Sequence, residues 1–191
     1  MQKGTTIAFL DTKPHYELLD GLRGVAALMV IWYHIFEGFA TSPMDQRFNH
    51  GYLAVDFFFI LSGFVIGYAY DDRWKTMKTK DFFKRRLIRL HPMVVLGAVL
   101  GSITFCIQGC EKWDGSQVSI SMVMLAMLMG IFLIPVAPGA GPEVRGNGEM
   151  YPLNGPSWSL FFEYIGNILY ALFIRKLSTK ALTVLVVLAG I

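Results

Sequence analysis

The residues of this chain that could do chemistry are few, and they sit in or beside long apolar runs. His34 is the first. An imidazole shielded from water can take a proton from a hydroxyl, or carry an acyl group itself. Arg23 precedes it by eleven positions. On an α-helix eleven steps return to within about 20° of the same face and climb roughly 16 Å. The two side chains cannot touch, but they can hold the two ends of one long substrate. A histidine bonded between helices, with Arg23 reaching out to headgroups, is the plainer alternative. Asp56 falls early in the second apolar run. It could accept the ring N–H of His34 and orient it, or simply complement a helix dipole from the first turn. Arg86 and Arg89 are three apart, and Arg85 is four before Arg89, so guanidinium groups share one helix face. Such forks bind phosphate oxygens bidentately. Contact with anionic lipid would call for the same charges. Glu163 shares a face with Ser159, and Trp158 beside it can anchor at a membrane interface. An acid in apolar surroundings suits proton exchange, or a structural pair with an arginine.

Other sites are weaker. His15, His50 and His91 lie outside the apolar runs and read as surface residues. No Cys/His set has zinc spacing, so no metal is expected. No phosphate-cradling glycine loop, dinucleotide fingerprint or nucleophile elbow is present.

The elements that must position these residues follow from composition. Of 191 residues, 54% are hydrophobic and 16% charged, with a net charge of +3. An ordinary soluble domain carries about 25% charge. Disorder, a disulfide-stapled fold and a basic nucleic-acid binder are excluded, which leaves a chain that crosses a membrane several times. The apolar runs cover about 22–40, 51–70, 92–110, 118–136 and 158–174. Each is near the roughly 20 residues that a spanning helix needs. A sixth begins near Ala181 and stops short. The runs lack the strict alternation of barrel strands. The expected fold is therefore an all-α, polytopic helix bundle, with about five complete helices and a truncated sixth. The chain reads as an N-terminal fragment. Pro92 is expected in the first turn of the third helix. The pairs Gly63/Gly67 and Gly97/Gly101 are expected at close helix contacts.

Orientation comes from lysines and arginines. The 71–89 loop carries Arg73, Lys75, Lys78, Lys80, Lys84, Arg85, Arg86 and Arg89, eight of the seventeen basic residues. It is expected in the cytoplasm, and the N-terminus with it. If every run crosses, Arg175, Lys176 and Lys180 fall outside, against the same rule. Either one segment is re-entrant or the fifth helix starts at mid-membrane. Pro135, Pro138, Pro142, Pro152 and Pro156 make irregular backbone expected before that helix. A membrane tolerates it only where it is buried or lines a cavity.

Taken together, these residues form motifs. Leu19-Asp20-Gly21-Leu22-Arg23-Gly24 followed by His34 resembles the first-helix motif of the membrane acyltransferase 3 family. Val55-Asp56-Phe57-Phe58-Phe59-Ile60-Leu61-Ser62-Gly63 resembles its second-helix motif. Arg86-Leu87-Ile88-Arg89 before Pro92 is similar to its Arg-x-x-Arg element, and Pro156-Ser157-Trp158-Ser159-Leu160 with Glu163 to its Trp-Ser-Leu element. The order matches over residues 16–191, with residues 1–15 a polar cytoplasmic lead-in. The family often has an acidic pair after the Trp-Ser-Leu element, whereas a single Glu163 stands here.

The resemblance implies the N-terminal part of a domain of about ten helices in a bacterial inner or plasma membrane. It implies transfer of an acyl group, acetyl foremost, from cytoplasmic acyl-coenzyme A to a hydroxyl of a carbohydrate or lipid-linked glycan. Acyl-coenzyme A is the donor substrate, and no tightly bound cofactor, metal or nucleic acid is implied. Membrane lipids surround the chain. Carried over, His34 is the catalytic histidine and Glu163 an essential acid, and Asp56 joins them from its position as a candidate orienting or relaying acid. Arg23, Arg86 and Arg89 bind the donor, and Ser159 and Trp158 support. Whether His34 is a general base or an acyl carrier stays open. Buried His, Asp and Glu also build proton relays, so a proton-coupled transporter is the competing class.

Overall fold

The computed structural model describes residues 14, 16–37, 39, 45–46, 50–137, 139, 141–146 and 148–190. His15, expected at the surface, lies outside them, as does Pro138. The described residues form six α-helices and no strand: α1 Glu17–Glu37, α2 Leu53–Tyr70, α3 Thr79–Ile107, α4 Ile120–Ile131, α5 Ser157–Leu172 and α6 Thr179–Ala189. Short 3-10 turns follow α2 (Asp71–Lys75) and α5 (Ile174–Lys176). The expected all-α helical membrane bundle is what the chain forms. Four segments are long and apolar enough to cross a membrane: Glu17–Glu37, Leu53–Lys75, Thr79–Ile107 and Ser157–Lys176.

The helix ends follow local chemistry. Glu17 and Asp20 lie in the first turn of α1, favourable to the helix dipole, and His34 lies in its last turn. Ser119 and Ser178 cap α4 and α6, accepting from the backbone N–H of Met122 and Ala181. Two elements differ from expectation. α3 begins at Thr79, so Pro92 lies inside it rather than in its first turn. Proline costs a helix one hydrogen bond, which a long helix packed on neighbours tolerates. α4 holds 12 residues rather than the nineteen of the apolar run. It rises about 18 Å, well short of a hydrocarbon core of about 30 Å. Its end is marked by Leu133, which takes a positive φ of 52°.

The chain divides into two compact units, Met1–Ile60 and Leu61–Ile191. In the first, Ala26 and Ala54 are buried, Gln46 Nε2 donates to the Tyr33 carbonyl at 2.9 Å, and Gly51 lies against the Tyr33 side chain. In the second, α3 is the axis, with α4 and α5 packed on it. Phe105, Val123, Ala126, Val144 and Leu153 form one core cluster, and Ile66, Phe82 and Ala171 another.

α5 runs antiparallel to α3 and parallel to the second half of α2. Glu163 lies level with Ser62 and Arg86. Seven residues on, Tyr170 packs against Phe82 and bonds to Asp71 and Trp74. Of the two glycine pairs, only Gly97/Gly101 is a close approach, and its partner is a loop, not a helix. A Cβ on Gly101 would lie 2.0 Å from the Leu153 carbonyl oxygen, and one on Gly97 2.2 Å from Asn154 Nδ2. A Cβ on Gly63 would meet nothing within 4 Å.

Candidate active site

Each unit holds part of the expected set. On α1, Arg23 Nη1 pairs with Asp20 Oδ1 at 2.6 Å, one turn back. His34 stands in the last turn, about half exposed, and its Nδ1 lies 2.8 Å from Glu37 Oε2. The helix is unbroken between them, so the roughly 16 Å rise from Arg23 to His34 stands. When a carboxylate accepts a hydrogen bond from the Nδ1–H of a neutral imidazole, the free lone pair lies on Nε2. Asp56, expected in that orienting place, is exposed in the first turn of α2. Glu37 occupies it instead. The signal was the i,i+3 spacing of His34 and Glu37 on one helix, at a point where the apolar run was expected to continue to residue 40.

In the second unit, Glu163 is the meeting point of three helices. Its Oε1 accepts from Arg86 Nη2 at 2.7 Å and from Ser62 Oγ at 3.0 Å. Its carbonyl accepts from Asn167 Nδ2 at 2.7 Å. The Arg86 side chain is 3% exposed and that of Glu163 22%. Ser62, from α2, was not singled out by spacing, because only folding brings it beside α5. Arg86 Nε, Tyr164 Oη and Asn167 Oδ1 are further buried polar atoms without a protein partner in this region. Buried polar groups are otherwise almost always paired, so these atoms stand out as unmet polar capacity on Arg86 and on α5 next to Glu163.

The expected arginine pair therefore separates. Arg86 faces inward to Glu163, while Arg85 and Arg89 are exposed on α3. Three residues on a helix leave the two directions only about 60° apart, and at the edge of the buried face of α3 that step takes Arg86 inside and leaves Arg89 outside. Ser159 Oγ donates to the Pro156 carbonyl at 2.9 Å, steadying the first turn of α5. Trp158 is exposed, with its ring edge-on to Phe162. Asn154 Nδ2 donates to Ser157 Oγ at 2.8 Å, so the motif's entry to α5 is tied down just where it meets α3. Among the described residues no cluster of metal-ligating side chains is found.

Comparison with known proteins concerns the chain as a whole. A family model described as an acyltransferase domain, the acyltransferase 3 model, matches residues 16–191. The chain belongs to the acyltransferase 3 family. By class it is an O-acyltransferase, and its long apolar helices make it a membrane protein. It is 35% identical over 180 residues to "Protein 2 in picA locus" of Rhizobium radiobacter, covering 88% of this chain and 87% of that one. It is 39% identical over 95 residues to a putative O-acetyltransferase of Staphylococcus aureus strain COL, covering 47% of this chain and 14% of that one. It is 29% identical over 179 residues to the acyltransferase MdmB of Streptomyces mycarofaciens, covering 86% of this chain and 41% of that one. The chain thus spans less than half the length of the last two relatives. No solved structure matches.

Proposed function

We propose that this acyltransferase 3 chain moves an acyl group from acyl-coenzyme A on the cytoplasmic face to a hydroxyl of a cell-surface carbohydrate or lipid-linked glycan. Residues 16–191 form the donor side of that domain in a bacterial inner membrane. The observation that carries the reading is the His34–Glu37 pair at 2.8 Å on the stripe that begins at Arg23. Glu37 fixes the tautomer, and His34 Nε2 takes the acceptor's hydroxyl proton. The hydroxyl oxygen attacks the thioester carbonyl, and the C–S bond breaks. The coenzyme A thiolate then receives the proton from the imidazolium. Arg23 meets the donor's phosphates on α1, where the roughly 16 Å rise to His34 suits an extended pantetheine arm; in the second unit the exposed Arg89 is a separate donor-binding arginine. Arg86 acts differently: it holds Glu163 in place between helices.

The test is transfer of labelled acetyl from acetyl-coenzyme A to glycan in membranes carrying the full protein. His34→Ala removes the base and should lower turnover by about 10²- to 10⁴-fold. Glu37→Gln should lower kcat by about tenfold or more with donor KM little changed, because the amide no longer favours the productive tautomer. Full activity in His34→Ala would refute the assignment. Proton flux without any donor would point to transport instead.

A further inference from the structure

We propose that residues 108–156 are a re-entrant segment, entering and leaving the membrane on the face opposite the 71–89 loop. On this reading α5 returns to the face of that loop. The inference stands independently of the transfer chemistry.

The first support is direction. Successive crossings alternate, so if α3 and α4 both crossed, α5 would run parallel to α3. It runs antiparallel to α3 and parallel to the second half of α2. Contacts at three levels show it. Glu163 meets Ser62 and Arg86. Tyr170 meets Asp71, Trp74 and Phe82. The Arg175 guanidinium lies over the Trp74 ring at 4.0 Å. The end of α5 therefore lies at the end of α2 and the start of α3. An even number of crossings, zero included, must separate α3 from α5.

The second support is reach. The short α4 packs on the C-terminal half of α3. Val123 and Ala126 cluster with Phe105, and Gly130 lies opposite Ala98. The chain then turns back. Arg145 sits over the Phe105 and Trp113 rings at 5.1 and 5.9 Å, beside the end of α3. The Trp113 N–H donates to the Arg145 carbonyl at 3.1 Å, joining the segment's two limbs. Leu153 and Asn154 then press on Gly101 and Gly97, where α5 begins. The described part of the segment thus stays beside residues 97–107 of α3. Its irregular backbone is paired within the protein: the Val136 N–H donates to Met150, Arg145 Nε to Pro152 and Tyr151 Oη to Leu133. That is the condition under which non-helical chain is tolerated at membrane depth.

The third support is charge. This arrangement puts Arg175, Lys176 and Lys180 on the face of the 71–89 loop, so that eleven of the seventeen basic residues share it. The re-entrant segment carries only Lys112 and Arg145. The charge conflict that arises when every run crosses disappears.

The test uses native lysines in the unaltered protein. Cells, and separately inside-out vesicles, are treated with a membrane-impermeant amine reagent, and sites are mapped by mass spectrometry. Lys80, Lys176 and Lys180 should label together in vesicles and be protected in cells, with Lys112 the reverse. Lys176 and Lys180 labelling together with Lys112 would overturn the proposal. A single Ala137→Cys probe with an impermeant maleimide reports the segment's far limb. It should label from the Lys112 face, and labelling from the Lys80 face would equally overturn the proposal.

Discussion

At the scale of single residues, Arg86 and Glu163 show how burial assigns roles that spacing leaves open. Both belong to motifs, and both could face substrate. The structure pairs them, with Arg86 almost wholly buried. Removing one partner of a buried pair strands a charge, which costs about 3–5 kcal/mol where burial is complete. Glu163 keeps some exposure, so Arg86→Leu should cost about 2–3 kcal/mol. Glu163→Gln should cost less, because the amide still accepts a hydrogen bond. The double variant should be more stable than the sum of the singles by about 0.5–3 kcal/mol, as expected of residues in direct contact. Thermal unfolding in detergent measures all three. Strict additivity would mean that the pair is not formed. Arg89→Ala should leave the unfolding temperature nearly unchanged and raise donor KM, which separates the two arginines that the motif lists side by side.

At the scale of elements, the two glycine pairs look alike in sequence and differ in the fold. Gly101→Ala sets a methyl 2.0 Å from a backbone carbonyl, which no rotamer change relieves. It should displace the 151–154 loop and clearly destabilise, by about 1–3 kcal/mol as overpacking typically does. Gly63→Ala meets open space and should be neutral or stabilising, since alanine favours helix by up to about 1 kcal/mol. Unfolding of the two variants side by side decides it. Apolar periodicity and length made the helices legible, and the isolated ionisable residues marked candidate positions but not their partners. Three things were not legible. The break at Leu133 ends α4 inside a run that stays apolar to Val136. The partner of Gly97 and Gly101 is a loop that no helix-packing pattern announces. Ser62 reaches Glu163 only through the contact of α2 with α5.

At the scale of the molecule, the distribution of apolar surface is that of a chain whose outside is not water. Ala26 is the only buried residue of α1, while Val25, Leu28, Ile31, Trp32 and Ile35 are all exposed. In water such a helix would be a liability; in a bilayer this face is solvated by hydrocarbon. The two settings make opposite demands on Leu28, near the middle of α1 and 65% exposed. If it faces lipid, Leu28→Ala removes little packing and should change stability by less than about 0.5 kcal/mol. Leu28→Lys should oppose insertion by about 3 kcal/mol, the cost of a charge near the centre of a spanning helix. The lysine can shorten that penalty only by snorkelling, which a mid-helix position makes difficult. A glycosylation-reporter insertion assay on α1 reads the difference directly. The lysine variant should lose most of its integration and the alanine variant almost none. Full integration of Leu28→Lys would show that this face meets a polar surface rather than lipid, and the membrane placement of α1 would have to be redrawn.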